Sequence, residues 1–302
     1  MKVAKSMAHS SSANLGPGFD VLAVAHSVFR DEVEVRILGE GSLKVELAGG
    51  DPLTNTASYA VLKMLENLGH KVQVEVRVRK GIPAGLGLGS SGASAAAAVA
   101  ALNELLGSGV DRNTLVKYAM VGEVASSGSP HPDNVAASVV GGWVAVTSVE
   151  PLKVVSIPAP RDYLLVLVVP DLKLEGKTKK AREMVPRQIS MEDHVESTRR
   201  LTSLLVGLSS GNRELVREGM RDNLVETARL PLFPFYPEVR KSALERNAVG
   251  VCVSGAGPSV LILADRSTDV DGIRDDVRRI SGLRAEVYLT EVGEGVKVEV
   301  RN

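Results

Sequence analysis

The chain has 302 residues, long for one compact core and ample for two domains around a shared cleft, since single cores rarely grow much past about 250 residues. Lysine plus arginine and aspartate plus glutamate stand at 36 each, so there is no overall basic field to hold nucleic acid or an anionic membrane. That balance favours a small-molecule partner.

The first residues, Met1-Lys-Val-Ala-Lys-Ser6, run into a polar, glycine-rich stretch without the apolar core of a signal peptide. No segment approaches the roughly 20 apolar residues needed to cross a bilayer, so a cytoplasmic protein is expected. From Val72 to Val78 valine alternates with Gln73, Glu75 and Arg77, the period-two pattern of a strand with one buried face. A glycine-rich stretch, 80–92, follows and leads into the alanines and leucines from Ala93 to Leu106, which predict a helix. A second helix is predicted from an Asp111 cap to near Ser126, with Leu115, Val116, Ala119 and Met120 on one face.

Gly141-Gly142 predicts a turn into a strand from Trp143, and Tyr163 to Val169 reads as a buried strand. Between them, Pro158-Ala159-Pro160 is the expected domain boundary, giving an N-terminal domain over 1–158 and a C-terminal one over 159–302. The second half begins with a polar segment, 175–186, then helical patterns over 190–208 and 212–220. Short strands over 249–253 and 260–263 flank a glycine loop, and 270–280 is amphipathic. The lone cysteine, Cys252, precludes an internal disulfide and reads as a buried strand residue. Strands and helices mix in both halves without strict βαβ alternation, so the expected class is α+β.

Gly81, Gly85, Gly87 and Gly89 permit backbone angles and close approaches that side chains forbid. With Ser90 and Ser91 opening a helix, the loop presents free N–H donors and the positive end of a helix dipole, a site suited to a polyphosphate such as that of ATP. It is neither a Walker loop, because no Gly-Lys-Ser/Thr follows, nor a dinucleotide fingerprint within a βαβ unit.

The segment Pro83-Ala-Gly-Leu-Gly-Leu-Gly-Ser-Ser-Gly-Ala93 resembles the central motif of the GHMP kinases. Ser11-Ser-Ala-Asn-Leu-Gly-Pro-Gly-Phe-Asp20 resembles their N-terminal motif, and Val253-Ser-Gly-Ala-Gly-Pro-Ser259 their C-terminal glycine loop. The resemblance implies a two-domain fold with a nucleotide cleft between the domains, ATP and magnesium as cofactors, and phosphoryl transfer to a small alcohol. It places Pro83, Ala84, Gly85, Leu86, Gly87, Leu88, Gly89, Ser90, Ser91, Gly92 and Ala93 at the nucleotide, and Glu123 with Ser91 at the metal. Lys80, directly before the loop, is expected either to neutralise phosphate charge there or only to cap the strand. The forms Asn14 to Asp20, His131 to Ala136 and Thr178 to Arg182 are similar to the members that act on L-homoserine, and a homodimer is compatible with that. Other small alcohols, such as shikimate or mevalonate, are the alternative acceptors, and a catalytically dead nucleotide-binding relative is the rival of a different class.

L-homoserine is a zwitterion with a hydroxyl arm, so its pocket needs an anion, a cation and access to ATP. Asp20 can meet the ammonium, and Arg182 with Arg229 can fork onto the carboxylate as lysine cannot. By resemblance Asn14, His131 and Asn134 complete the pocket with hydrogen bonds. Asn134 then holds the hydroxyl in line and Thr178 lies near the reacting oxygen. The resemblance implies no catalytic aspartate, so Asp133 is not assigned as a general base; a loose phosphoryl-transfer transition state, which needs little prior proton removal, tolerates this. His9, Gly92 and Gly176-Lys177 depart from the usual family residues, without removing a polar group from this chemistry.

Overall fold

Period-two burial marks the strand stretches 3–9 and 72–76 of the computed structural model, which describes residues 2–127, 130–172 and 177–301; the side chains of 126–127 and 177–179 lie outside that description. The strands are β1 (Val3–Asn14), β2 (Gly18–Glu40), β3 (Lys44–Leu47), β4 (Val72–Arg79), β5 (Trp143–Val149), β6 (Leu152–Ser156), β7 (Leu164–Pro170), β8 (Gly250–Val253), β9 (Val260–Ala264), β10 (Ala285–Thr290) and β11 (Lys297–Arg301). Among the described residues they form a seven-stranded and a four-stranded sheet. The larger runs β11-β1-β2-β4-β3, with β5 and β6 continuing from the early part of β2, where Leu22 to Val24 pair with Trp143 to Ala145. Among the described residues only β3 and β4 pair in parallel. The smaller sheet is antiparallel, in the order β10-β7-β9-β8.

The helices are α1 (Thr56–Leu68), α2 (Ser90–Leu106), α3 (Arg112–Gly122), α4 (Val124–Ser127), α5 (Pro132–Val140), α6 (Lys177–Glu183), α7 (Met191–Ser210), α8 (Arg213–Gly219), α9 (Val225–Arg229), α10 (Tyr236–Glu245) and α11 (Val270–Arg279). No helix among the described residues is long and apolar enough to cross a membrane. In α2 the run Ala95 to Val99 is wholly buried, and its small side chains let the helix pack against β1, α1, α3 and α5 together. In β7, Leu165, Leu167 and Val169 face the large core that also holds α7 and α8 residues Leu204, Leu208 and Val216. Val166 and Val168 face a second cluster with Val239 of α10 and Ile273 of α11. Both faces of β7 are covered, which explains an unbroken apolar run where an open strand would alternate.

The helix expected from Asp111 to near Ser126 is interrupted. Asp111 caps α3 through the Thr114 N–H, but the helix ends at Gly122, and Glu123 stands in the turn before α4. A Cβ on Gly122 would come within 2.5 Å of the Thr56 carbonyl oxygen, so glycine is what lets α3 close on α1 at this point. The chain passes from the first sheet to the second between β6 and β7, around Pro158-Ala159-Pro160. Yet β11 returns to pair with β1, Val3 opposite Arg301. The last strand of the segment expected as a second domain, 159–302, therefore completes the first sheet.

Candidate active site

The three glycine-bearing segments of the sequence meet around one cavity of about 480 Å³. The loop from β4 to α2 is bent by Gly85, Gly87 and Gly89, with φ of +75°, +79° and +70°, a region costly for residues with a Cβ. Gly89 occupies the N-cap position of α2 and offers no side-chain cap, and the His131 side chain makes no cap bond to α5. Both helices open on the cavity with their positive dipole ends toward any anion held there, but in α5 Pro132 has no N–H and the Asn134 N–H is taken by Asp133, so α2 supplies the first-turn N–H donors. Pro83, Ala84, Leu88, Ser90, Ser91 and Gly92 line the same space. Leu86 and Ala93 do not: Ala93 is fully buried in α2, and Leu86 packs against the core while its carbonyl accepts from the Ser259 N–H at 3.2 Å.

Lys80 also lines the cavity, but its ammonium is engaged. It donates to Asp31 Oδ2 at 3.0 Å, to the Ser90 carbonyl and hydroxyl at 3.1 and 3.0 Å, and to Ser94 Oγ at 2.7 Å. Asp31, fully buried, further accepts from the Gly81 and Ile82 N–H groups at 2.9 and 3.0 Å. One carboxylate thus ties the start of the loop to the first turn of α2. Sequence reasoning missed Asp31 because nothing near it in the chain, a run of charged residues on β2, marks it as buried.

At the other end of the cavity, Asn14 and Asp20 flank the turn between β1 and β2. Both have left-handed backbones, with φ of 73° and 58°, a conformation that Asn and Asp tolerate best among non-glycine residues. Asn14 Oδ1 accepts from the Asp20 N–H at 3.2 Å, and its Nδ2 donates to the Gly255 carbonyl at 2.9 Å, joining this turn to the C-terminal glycine loop. Arg182 of α6 lies against Asp20: one guanidinium nitrogen donates to both carboxylate oxygens, at 3.0 and 2.7 Å. The two groups expected at opposite ends of one substrate are therefore each other's partners here. Arg182 and Arg229 both sit over the Phe19 ring, 5.1 and 5.2 Å from its centroid, a cation–π arrangement that no local pattern foretells. Arg229 is buried and donates to the Ala181 carbonyl at 2.8 Å. Burial, with Arg182 next in weight, lowers its pKa from the usual value.

His131 and Asn134 line the cavity beside Asp20. Burial lowers the His131 pKa, with Asp20 opposing. Asn134 Oδ1 accepts from the Ser11 hydroxyl at 2.9 Å, which leaves its amide N–H groups as the donors available to a ligand oxygen. Thr178 falls within α6, but its side chain lies outside the described residues.

Glu123 and Asp133 line the space below the loop. Burial, with Asp133 adding and Lys80 opposing, pushes Glu123 up to about 7. Burial likewise pushes Asp133 up to about 6, against the bond its carboxylate accepts from the Asn134 N–H at 2.8 Å. A carboxyl group that resists ionising in these surroundings is one that a hard cation stabilises. Glu123 and the Ser91 hydroxyl are oxygen donors on one cavity, and no cluster of three or more His, Cys, Asp or Glu gathers among the described residues. The set fits magnesium, which takes few protein ligands and completes its shell with phosphate oxygens and water.

Gly87 is where the phosphate loop meets the C-terminal loop. Its carbonyl accepts from Ser254 Oγ at 2.7 Å, and a Cβ on it would run into the Ser254 carbonyl oxygen and approach the Gly257 carbonyl oxygen at 2.7 Å. At Gly85 an added Cβ meets nothing within 4 Å. Gly87→Val is therefore expected to weaken ATP binding by roughly tenfold or more, since both the left-handed φ and the clash must be relieved. Gly85→Ala, strained only through φ, should cost less. Direct titration of nucleotide affinity checks both, and equal effects would mean that the contact with Ser254 is unimportant.

The family model described as GHMP kinases N terminal domain matches residues 55–142, and that described as GHMP kinases C terminal matches 204–281. The chain is 48% identical to the homoserine kinase of Saccharolobus solfataricus over 314 aligned residues, covering 100% of each. It is 52% identical to the homoserine kinase of Sulfolobus acidocaldarius over 274 residues, 89% of each. Among solved structures it superposes on the homoserine kinase of Cytophaga hutchinsonii with a TM-score of 0.89 and 33% identity, covering 98% of this chain and 97% of the other.

Proposed function

The chain belongs to the GHMP kinases, and on that footing we propose that it moves the γ-phosphate of ATP to the side-chain hydroxyl of L-homoserine, yielding O-phospho-L-homoserine for threonine biosynthesis. Supporting this reading is one cavity with two chemically distinct ends. The uncapped α2 N-terminus and a glycine loop lie at one end, and Asp20 with two arginines at the other. Full-length relatives at 48–52% identity, each named homoserine kinase, add to it.

In this reading the N–H groups of the loop and of the first turn of α2 bind the phosphates of ATP. Glu123 and Ser91 would hold magnesium, which when bound supplies charge neutralisation on the phosphate oxygens. Substrate entry exchanges one ion pair for two. The ammonium takes Asp20, and the carboxylate takes Arg182 with Arg229 beside it, so no charge is left unpaired. Asn14 and His131 border this end by hydrogen bonding. The Asn134 amide positions the acceptor hydroxyl, and Thr178 completes that position. Alignment with the γ-phosphate supplies most of the acceleration. We place the reaction in the cytoplasm, where ATP and free amino acids meet.

The test is ADP release from purified protein with ATP and magnesium, offered L-homoserine, mevalonate, shikimate and galactose in turn. Turnover is expected with L-homoserine alone. Preference for an acceptor without an ammonium group would overturn the substrate assignment, and no ADP with any acceptor would favour a dead relative.

A further inference from the structure

Three consecutive serines, Ser10, Ser11 and Ser12, lie on β1, all fully buried. Alternation along the strand sends Ser11 to Asn134 and sends Ser10 and Ser12 to the other side, where both reach His26 of β2. His26 is itself fully buried, and Ser10 is its register partner. Ser10 Oγ lies 2.7 Å from His26 Nδ1, and Ser12 Oγ lies 3.3 Å from His26 Nε2. Ser12 Oγ is also 2.7 Å from Ser254 Oγ, which in turn is 2.7 Å from the Gly87 carbonyl oxygen.

Proton counting assigns a direction to this chain. Each hydroxyl has one proton, and a neutral imidazole has one donor and one acceptor. Ser254 must donate to Gly87, because a carbonyl oxygen only accepts. Ser12 must then donate to Ser254, or two oxygens 2.7 Å apart would face each other with no proton between them. Ser12 is left to accept from His26 Nε2–H, and Nδ1, at 2.7 Å, takes the Ser10 proton ahead of the His26 and Phe29 carbonyl oxygens, each 3.1 Å from Ser10 Oγ. In the opposite tautomer Nδ1–H would donate to Ser10 and Nε2 would bring no hydrogen to Ser12, so either that 3.3 Å contact goes unmade or the Ser12 proton turns to the ring and the Ser12–Ser254 or Ser254–Gly87 contact loses its hydrogen. Burial draws the His26 pKa down to about 3, so the ring is neutral at ordinary pH and keeps the one-donor, one-acceptor form that the chain requires.

We propose that His26 is a positioning residue for the phosphate loop: through Ser12 and Ser254 it fixes the Gly87 carbonyl and thereby holds the loop in the shape that receives ATP. The chain crosses from β1 and β2 to the C-terminal loop and then to the phosphate loop, three segments that share no local sequence. The His26, Ser12 and Ser254 side chains are fully buried, so water does not compete for the links among them, and losing one leaves the next group without its partner. The inference rests on the reading of the cavity as an ATP site. It does not depend on which acceptor is phosphorylated.

The experiment measures binding of a non-hydrolysable ATP analogue with magnesium, and the acceptor KM separately, in the full chain. His26→Leu, Ser12→Ala and Ser254→Ala are each expected to weaken analogue binding by about five- to tenfold and to leave the acceptor KM unchanged. His26→Gln, whose amide can still donate toward Ser12, should stay within about twofold of the parent. The double variant His26→Leu/Ser254→Ala should bind no worse than the weaker single variant, because both break one chain. Unchanged analogue affinity in the three disruptive variants, multiplying effects in the double, or an acceptor KM that moves as far as the nucleotide affinity would each overturn the proposal. If His26→Leu does not fold, Ser12→Ala and Ser254→Ala, each lacking a single oxygen, decide the matter by the same criteria. Turnover of an unexpected acceptor with these nucleotide effects intact would sink the L-homoserine assignment and leave this inference standing.

Discussion

Glu123→Gln is expected to lower turnover by roughly 10²- to 10³-fold while the protein still folds, the scale seen when one electrostatic contact to a transferring group is removed. The amide keeps the size of the side chain but is a poor ligand for a hard dication. The structure adds a second, independent signature. Because burial and Asp133 raise the Glu123 pKa from 4.5 to about 7, the folded state resists ionising it. Any stability tied to its protonated form is fully present below pH 4.5 and is lost as pH climbs through about 7. The glutamine variant has no such loss. Without magnesium it should therefore match the parent near pH 4.5 and exceed it by about 1 to 3 kcal/mol at pH 8. Magnesium with nucleotide should narrow that gap by stabilising the parent. Urea unfolding at the two pH values, alongside turnover across a magnesium titration, provides the check. Normal turnover at limiting magnesium would remove Glu123 from the metal site, and a pH-independent stability difference would remove the account of its charge.

Arg182→Ala is expected to cost about 2 to 5 kcal/mol in kcat/KM for L-homoserine, the range for removing one member of a hydrogen-bonded charge pair from a closed site. Folding stability should barely change. The Arg182 and Asp20 side chains are 45% and 34% exposed in their mutual pair, and solvent screening leaves such pairs worth only about 0 to 1 kcal/mol. The same weakness is what allows the pair to open for a substrate that replaces it with two. Lysine at 182 should rescue only in part, since it restores charge without the planar fork. Asp20→Asn tests the other end. The ratio of kcat/KM for L-homoserine to that for an analogue with hydrogen in place of the amine should fall toward unity in this variant, while Arg182→Ala lowers both values together. If the parent shows no preference for the amine, or Asp20→Asn keeps the preference, Asp20 does not bind the ammonium.

Much of the loop end of the cavity was legible in the sequence, because its determinants are local. Alternating valines, four glycines and an alanine run specify strand, loop and helix within some thirty-five residues, 72–106, and β4 and α2 take those places. The Asp111 cap and the apolar run of β7 are likewise encoded by neighbours in the chain. The break at Glu123 was not: it falls beside Gly122, where a Cβ would meet Thr56 and Ala60 of a separate helix. The family resemblance placed Asp20 and Arg182 at the site but carried no information that they would meet each other, or that Phe19 would lie beneath both arginines.

Asp31 and His26 were silent in the sequence for the same reason. Each becomes distinctive only through partners far along the chain: Lys80, Ser90 and Ser94 for the first, Ser254 for the second through Ser12. The return of β11 to β1 depends on register across almost the whole chain. Sequence by itself determined which residues prefer burial and which turns need glycine, since periodicity and backbone sterics act over a few residues. Tertiary structure alone decided which buried charge meets which donor, because hydrogen bonds and ion pairs depend on distances of about 3 Å, and only the packing of distant segments sets those.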